Sequence, residues 1–226
     1  PPVVVSVSSP STGPSAGGTA VVVQGRGLTP GAAGSGCDVV CRFGELLTAA
    51  AMASDGTITC QSPANPAAEG YDLPLYVSLN RQQFSAGDAT FRYTSPTPLD
   101  SVVPRTGPIS GGTRLTVRAA NLTGGDDYTC RFRSADGNNH VVNATFASDG
   151  SVLCTTPELA SAGEYNFSAS LNRQQYRQAL PFLFYEPPQL AAVSPAAGPI
   201  AGGAAVAITG THLADGDNYT CRLGDD

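Results

Sequence analysis

Thr12-Gly13-Pro14-Ser15-Ala16-Gly17-Gly18 returns as Thr106-Gly107-Pro108-Ile109-Ser110-Gly111-Gly112, and again as Ala197-Gly198-Pro199-Ile200-Ala201-Gly202-Gly203. Each copy follows an apolar run ending in proline (Pro10, Pro104, Pro195) and precedes a strand pattern. The spacings are 94 and 91 residues, so the 226-residue chain holds two full units and the beginning of a third. The segment is turn chemistry: proline fixes one φ, and the glycines accept φ > 0. No Gly-Lys-Ser/Thr follows and a strand rather than a helix comes next, so it is not a phosphate-binding loop. It reads as the device that bends the first strand of each unit, and as the mark where each unit begins.

Period-2 patterns surround this anchor. Val21 and Val23 alternate with Ala20, Val22 and Gln24, and their counterparts are Leu115 with Val117 and Val206 with Ile208. Such alternation predicts half-buried strands. A second fixed point is Cys41-Arg42-Phe43, repeated as Cys130-Arg131-Phe132 and Cys221-Arg222-Leu223, with cysteine and the apolar residue inward and arginine outward. Asp55-Gly56 and Asp149-Gly150 predict hairpin turns leading to Cys60 and Cys154. Late in each unit, Leu73, Leu75, Val77 and Leu79, or Tyr165, Phe167, Ala169 and Leu171, point one way. Both runs end in Ser-Leu-Asn-Arg-Gln-Gln, at 78–83 and 170–175, followed by an aromatic. A last strand carries Phe91 and Tyr93, or Phe182 and Phe184. About seven short strands per unit and no helix of any length fit an immunoglobulin-like sandwich. The expected domains are 1–95, 96–187 and 188–226, joined by short proline-bearing connections that make a rigid string. The third stops after its cysteine strand, so it is expected to continue past Asp226 or to be completed by strand addition from another chain.

Taken together, the Pro-ended first run, the Gly-Pro-x-x-Gly-Gly element, the Cys-x-Phe strand, the cysteine before Pro63 or Pro157 and the late Ser-Leu-Asn-x-Gln-Gln segment resemble the IPT/TIG domain. The resemblance covers essentially the whole chain. It implies an all-β fold of tandem immunoglobulin-like β-sandwiches of the E-set type, two complete and one partial. Plexins, hepatocyte growth factor receptors, fibrocystin-type surface proteins and some transcription factors share that fold. Extracellular members usually carry Asn-Gly in the late turn; this chain has Asn80-Arg81 and Asn172-Arg173.

Six cysteines fall three, two and one across the units. Cys41 with Cys60, and Cys130 with Cys154, hold equivalent strand positions and are expected to form one disulfide per unit. Cys221 matches Cys41 and Cys130 without a partner in the sequence, and Cys37 has no counterpart in unit two. Four Asn-x-Ser/Thr sequons, at Asn121, Asn143, Asn166 and Asn218, are expected glycan acceptors. Asn166 lies on the outward phase of its strand.

Only 13% of residues are charged and all twelve basic residues are arginine, with a net charge of −6. Covalent glycans would account for the solubility of so weakly charged a surface. An acidic, lysine-free chain is a poor phosphate-binding surface, which argues against nucleic acid. No apolar run reaches the ~20 residues of a membrane span, and no leader opens the chain, so any signal peptide is removed or lies elsewhere. The acidic loops Gly124-Gly125-Asp126-Asp127 and Asp215-Gly216-Asp217-Asn218 lack the calcium-loop spacing and read as solvated turns. His140 and His212 lie in different units, no nucleophile elbow occurs, and no cofactor, metal or catalytic site is expected. The leading expectation is an extracellular structural or adhesive glycoprotein, a fibre protomer or surface stalk, whose partners are other copies of itself or neighbouring repeats. The second is a ligand-binding ectodomain of a plexin-like receptor. A nuclear DNA binder and a carbohydrate-binding accessory module fit less well, the latter because tryptophan is absent.

Overall fold

The computed structural model describes residues 4–28, 39–95, 98–177, 179–214 and 219–224. In unit one the strands are β1 (Val4–Ser9), β2 (Thr12–Pro14), β3 (Ala20–Arg26), β4 (Val40–Phe43), β5 (Leu46–Met52), β6 (Ile58–Gln61), β7 (Asp72–Ser78) and β8 (Thr90–Thr94). Unit two repeats them as β9 (Ser101–Val103), β10 (Thr106–Pro108), β11 (Arg114–Arg118), β12 (Thr129–Arg133), β13 (Asn139–Phe146), β14 (Val152–Thr155), β15 (Gly163–Ser170) and β16 (Leu180–Tyr185). The described residues contain no α-helix, only a short 3-10 turn at Pro66–Ala68.

Two strands change sheets and so build each sandwich. β1 pairs antiparallel with β3, whereas β2 pairs in parallel with β8. β5 gives Leu46–Ala49 to β4 and Ala50–Met52 to β6. One sheet is therefore β1-β3-β6-β5 and the other β5-β4-β7-β8-β2. Unit two has the same order, with β13 as the crossing strand.

The first strand switches sheets at the proline before the glycine motif, not within the motif. The Ser9-Pro10, Val103-Pro104 and Ser194-Pro195 peptides are all cis. The Gly-Pro pair lies inside β2, and the Gly-Gly pair turns the chain into β3. Gly13 is required by close approach: a Cβ there would sit 2.1 Å from Thr19 Oγ1 and 2.8 Å from Phe91. Gly17 combines φ +80 with backbone of Pro63 and Ala64 less than 3 Å from any added Cβ. The motif thus lets the turn lie flat on the segment after β6, with Asn65 N–H donating to Ser15 O.

The period-2 residues fill two separate cores. Val21, Val23, Phe43, Leu75, Phe91 and Tyr93 lead one, and Leu115, Val117, Phe132, Phe167, Phe182 and Phe184 the other. Phe91 meets Phe43 and Tyr93 edge-on at 5.1 Å, and Phe132 packs on three phenylalanines at 5.2–5.4 Å. Each fully buried aromatic contributes about 1.5–3 kcal/mol. In unit three, β17 (Gln189–Ser194) and β18 (Ala207–Thr211) form an antiparallel pair with Leu190 and Val193 exposed.

Candidate functional site

The late turn is built by its asparagine. In unit one Asn80 Oδ1 accepts from the Gln82 and Gln83 N–H groups, both at 3.1 Å, and Ser78 Oγ donates to it at 3.2 Å. In unit two Asn172 Oδ1 accepts from Gln174 N–H and Gln175 N–H at 3.1 Å, and from Ser170 Oγ at 3.1 Å. The side chain substitutes for a backbone turn, which suits asparagine. Arg81 and Arg173 take φ of 58° and 60°, the conformation that Asn-Gly turns assign to glycine.

The turn of unit two docks on unit one, where β1 has left β3. The last β1–β3 pair is Ser9 with Val22, so the outer edge of Ala20 has no strand beside it. The Gln174 carboxamide fills that place. It accepts from Ala20 N–H and donates to Ala20 C=O, each at 2.9 Å, as a strand residue would. Gln175 accepts from Thr19 Oγ1 at 3.1 Å and donates to Gly18 C=O at 3.3 Å. Asn172 Nδ2 donates to Thr12 C=O at 2.8 Å, a buried bond. Nearby, Ser11 N–H donates to Asp126, and Gly124 leaves room for the Arg92 side chain. The loop carrying Gly124 and Asp126 is tied by Tyr128, whose hydroxyl donates to Leu122 C=O and accepts from Gly125 N–H, both at 2.8 Å. Burial pushes the Tyr128 hydroxyl pKa up. A cleft of about 240 Å³ between the units is lined by Gly13, Thr94, Asn172 and Arg177.

The outward arginines of the Cys-Arg-Phe strands support the turns from behind. The Arg42 guanidinium lies 4.2 Å from the Phe84 ring centre and 4.8 Å from that of Tyr76, and Arg131 lies 3.9 Å from Tyr176. Such stacks contribute about 0.5–2 kcal/mol. Arg177 is buried and donates to the Ala120 and Asn121 carbonyls at 3.0 and 2.7 Å. Burial lowers its pKa.

Cys41 is bonded to Cys60 and Cys130 to Cys154, in each unit joining the two sheets beside the crossing strand. Cys221 is an exposed thiol, and Cys37 lies outside the described residues. Asn121, Asn143 and Asn166 are exposed; Asn143 Oδ1 accepts from Arg173, and Asn166 sits opposite Arg133 on the outer face. Asn218 and the loop acids at 215–217 lie outside the described residues. Among the described residues, no group of three or more His, Cys, Asp and Glu is placed to hold a metal. No helix there is long and apolar enough to cross a membrane. The interdomain joint leaves no distinguishing signal in the sequence, since the same Ser-Leu-Asn-Arg-Gln-Gln closes the strand runs of both units and only the second is docked.

Comparison with known proteins agrees with this architecture. The IPT/TIG domain family model matches residues 2–93, 96–184 and 188–226. Plexin-A4 of Mus musculus is 25% identical over 213 residues, covering 90% of this chain and 11% of that protein. Plexin A3 of Danio rerio is 24% identical over 216 residues, with the same shares. The chain thus spans about a tenth of the length of these relatives. The solved structure of the full extracellular region of Plexin A4 superposes with a TM-score of 0.61 at 20% identity, covering 95% of this chain and 18% of that one. With two sandwiches of one strand order, a third motif copy and a family match along nearly its whole length, the chain belongs to the IPT/TIG domain family.

Proposed function

We propose that the chain is a segment of a plexin-like, ligand-binding cell-surface ectodomain. In this reading domains 1–95, 96–187 and 188–226 form a non-catalytic array outside the cell that holds ligand-binding parts at fixed separation and angle. The observation that carries it is the kinship with plexins along 90% of the chain. The disulfides support an oxidising, extracellular setting. The joint supports a rigid spacer, because it fixes the second unit through both a buried hydrogen bond and an edge-filling carboxamide. Exposed Asn121, Asn143 and Asn166 are the glycan acceptors of this ectodomain, with Asn218 as a fourth.

The kinship favours this reading over the fibre or stalk raised by the sequence. Electron micrographs of the native protein at nanomolar concentration test it, together with binding of a soluble ligand to the intact ectodomain. Isolated particles and saturable binding are expected. Filaments at that dilution, with no saturable ligand, would overturn it in favour of the fibre. Glycan release followed by intact-mass measurement is expected to remove sugar from the sequons.

A further inference from the structure

Arg42 and Arg131 hold equivalent places on the outer faces of the two sandwiches, but only Arg131 finds an acceptor. Its Nε donates at 3.2 Å to Ser168 Oγ, on its register partner in β15. In unit one the β7 partner of Arg42 is Tyr76, which offers a ring in place of a hydroxyl. The Arg42 guanidinium lies over the Tyr76 and Phe84 rings, and among the described residues it has no hydrogen bond and no ion pair. Nε is closed off from solvent without an acceptor, whereas Nη1 and Nη2 retain contact with solvent. The two Nη groups thus form a fork of N–H donors that the rings hold in place and no counter-charge occupies.

The surround is apolar and bare. Leu47, the β5 partner of Arg42, is 45% exposed, and beside it Val40, Leu47, Ala49 and Arg81 line a hollow of about 260 Å³. Pro74 stands where unit two has Asn166, and residues 1–95 contain no Asn-x-Ser/Thr sequon, so no N-glycan shields this face. The joint does not claim the face either. In unit two, whose late turn is docked, the equivalent row is Val141, Arg131 and Ser168, and Val141 remains 46% exposed.

We infer that the row Leu47, Arg42 and Tyr76 of unit one is a contact face for a protein ligand, recognised through an acidic side chain set among apolar residues. Nη1 and Nη2 donate to the two oxygens of one Asp or Glu carboxylate, the bidentate geometry that a planar guanidinium favours. Apolar residues beside that carboxylate rest on Leu47 and on the Tyr76 and Phe84 rings. The rings already hold the guanidinium, which limits the entropy lost on binding. Charge complementarity selects the occupant. One cation with apolar neighbours suits one carboxylate on an apolar segment, whereas a polyanion would meet Glu45 in the β4–β5 turn and a chain of net charge −6. The inference rests on the receptor reading and adds to it a face and the chemistry of the ligand.

Titration of the whole chain with acetyl-Leu-Glu-Leu-amide, followed at the Arg42 Nε–H resonance by heteronuclear NMR, tests it. Loss of the signal in Arg42→Lys assigns it. The peptide should move the resonance saturably, with a dissociation constant on the order of 1–10 mM, as one bidentate contact would give. Acetyl-Leu-Gln-Leu-amide should bind at least about tenfold more weakly, and the Arg131 Nε–H should not move. Tyr76→Ser rebuilds the arrangement that unit two already folds with and gives Arg42 an internal acceptor; it should weaken the Glu peptide at least about fivefold. These readings come from Arg42 itself, so they are separate from whether the intact ectodomain has a saturable ligand. No saturable shift up to about 30 mM peptide overturns the inference. An equal response to the Gln peptide overturns it in favour of apolar contact alone. A sulfated heparin hexasaccharide that moves the resonance at about tenfold lower concentration overturns it in favour of a polyanion.

Discussion

Residues 78–83 and 170–175 have one sequence, one turn geometry and two fates. Asn80 and Asn172 bond the same backbone groups at matching distances, and Arg81 and Arg173 differ by 2° in φ. Yet Asn172 is buried under unit one, and Asn80 faces solvent. The turn therefore does not need the joint in order to form. Its own side chains preorganise it, and docking adds hydrogen bonds to groups already in place, which limits the entropy lost on contact. The receiving edge is likewise a by-product of folding, since the sheet switch at Pro10 leaves Ala20 without a neighbour.

The largest effect is expected where the two units do not differ. Cys41→Ala/Cys60→Ala and Cys130→Ala/Cys154→Ala should each cost about 3 kcal/mol in the unit concerned, measured by denaturant unfolding, because the closed loops are of similar length. A loss confined to one unit would break the equivalence of the two sandwiches. The next effect separates them. Tyr93 is buried, donates to Pro63 C=O at 2.9 Å, and burial pushes its pKa up to about 12, whereas Phe184 stands in its place in unit two. A raised folded-state pKa favours the protonated form. The stabilisation is complete below the unfolded tyrosine pKa near 10 and is lost as pH climbs from about 10 to about 12. Unit one should lose up to about 2–3 kcal/mol over that window, and Tyr93→Phe should abolish this loss, as read from unfolding curves at each pH.

A smaller difference isolates the joint. Asn80→Ala removes only a turn and should cost about 1 kcal/mol, whereas Asn172→Ala also strips the buried Thr12 carbonyl of a donor and should cost about 2–3 kcal/mol. Equal costs would mean that the joint contributes nothing to stability. The smallest effect concerns the arginines. Arg81→Gly relieves a positive φ and should stabilise unit one by up to about 1 kcal/mol. Arg173→Gly relieves the same positive φ but gives up the contacts to Asp127 and Asn143, so its net change should stay within about 0.5 kcal/mol of zero.

The sandwiches were legible because burial writes itself into sequence with a period of two. Val21 and Val23, Leu75 and Val77, and Phe91 and Tyr93 point inward as their alternation requires. The place of the strand switch was less so: the glycine motif is the conspicuous repeat, while Pro10 and Pro104 mark the switch. The joint was not legible at all. A carboxamide pairing with a strand edge leaves no periodicity, and the same six residues occur in the docked turn of unit two and the exposed turn of unit one. What decides docking is which edge lies within reach, and that is set by a strand that leaves its sheet more than a hundred residues earlier.

Amide hydrogen exchange at Ala20 and Arg114, measured on dilute protein, tests the joint most directly. The two N–H groups occupy equivalent edge positions, and among the described residues a carboxamide lies beside Ala20 and none beside Arg114. Ala20 should exchange far more slowly than Arg114, and Gln174→Ala should bring it to the Arg114 rate. Equal rates in the native chain, or an Ala20 rate unmoved by Gln174→Ala, would contradict a joint built by the late turn.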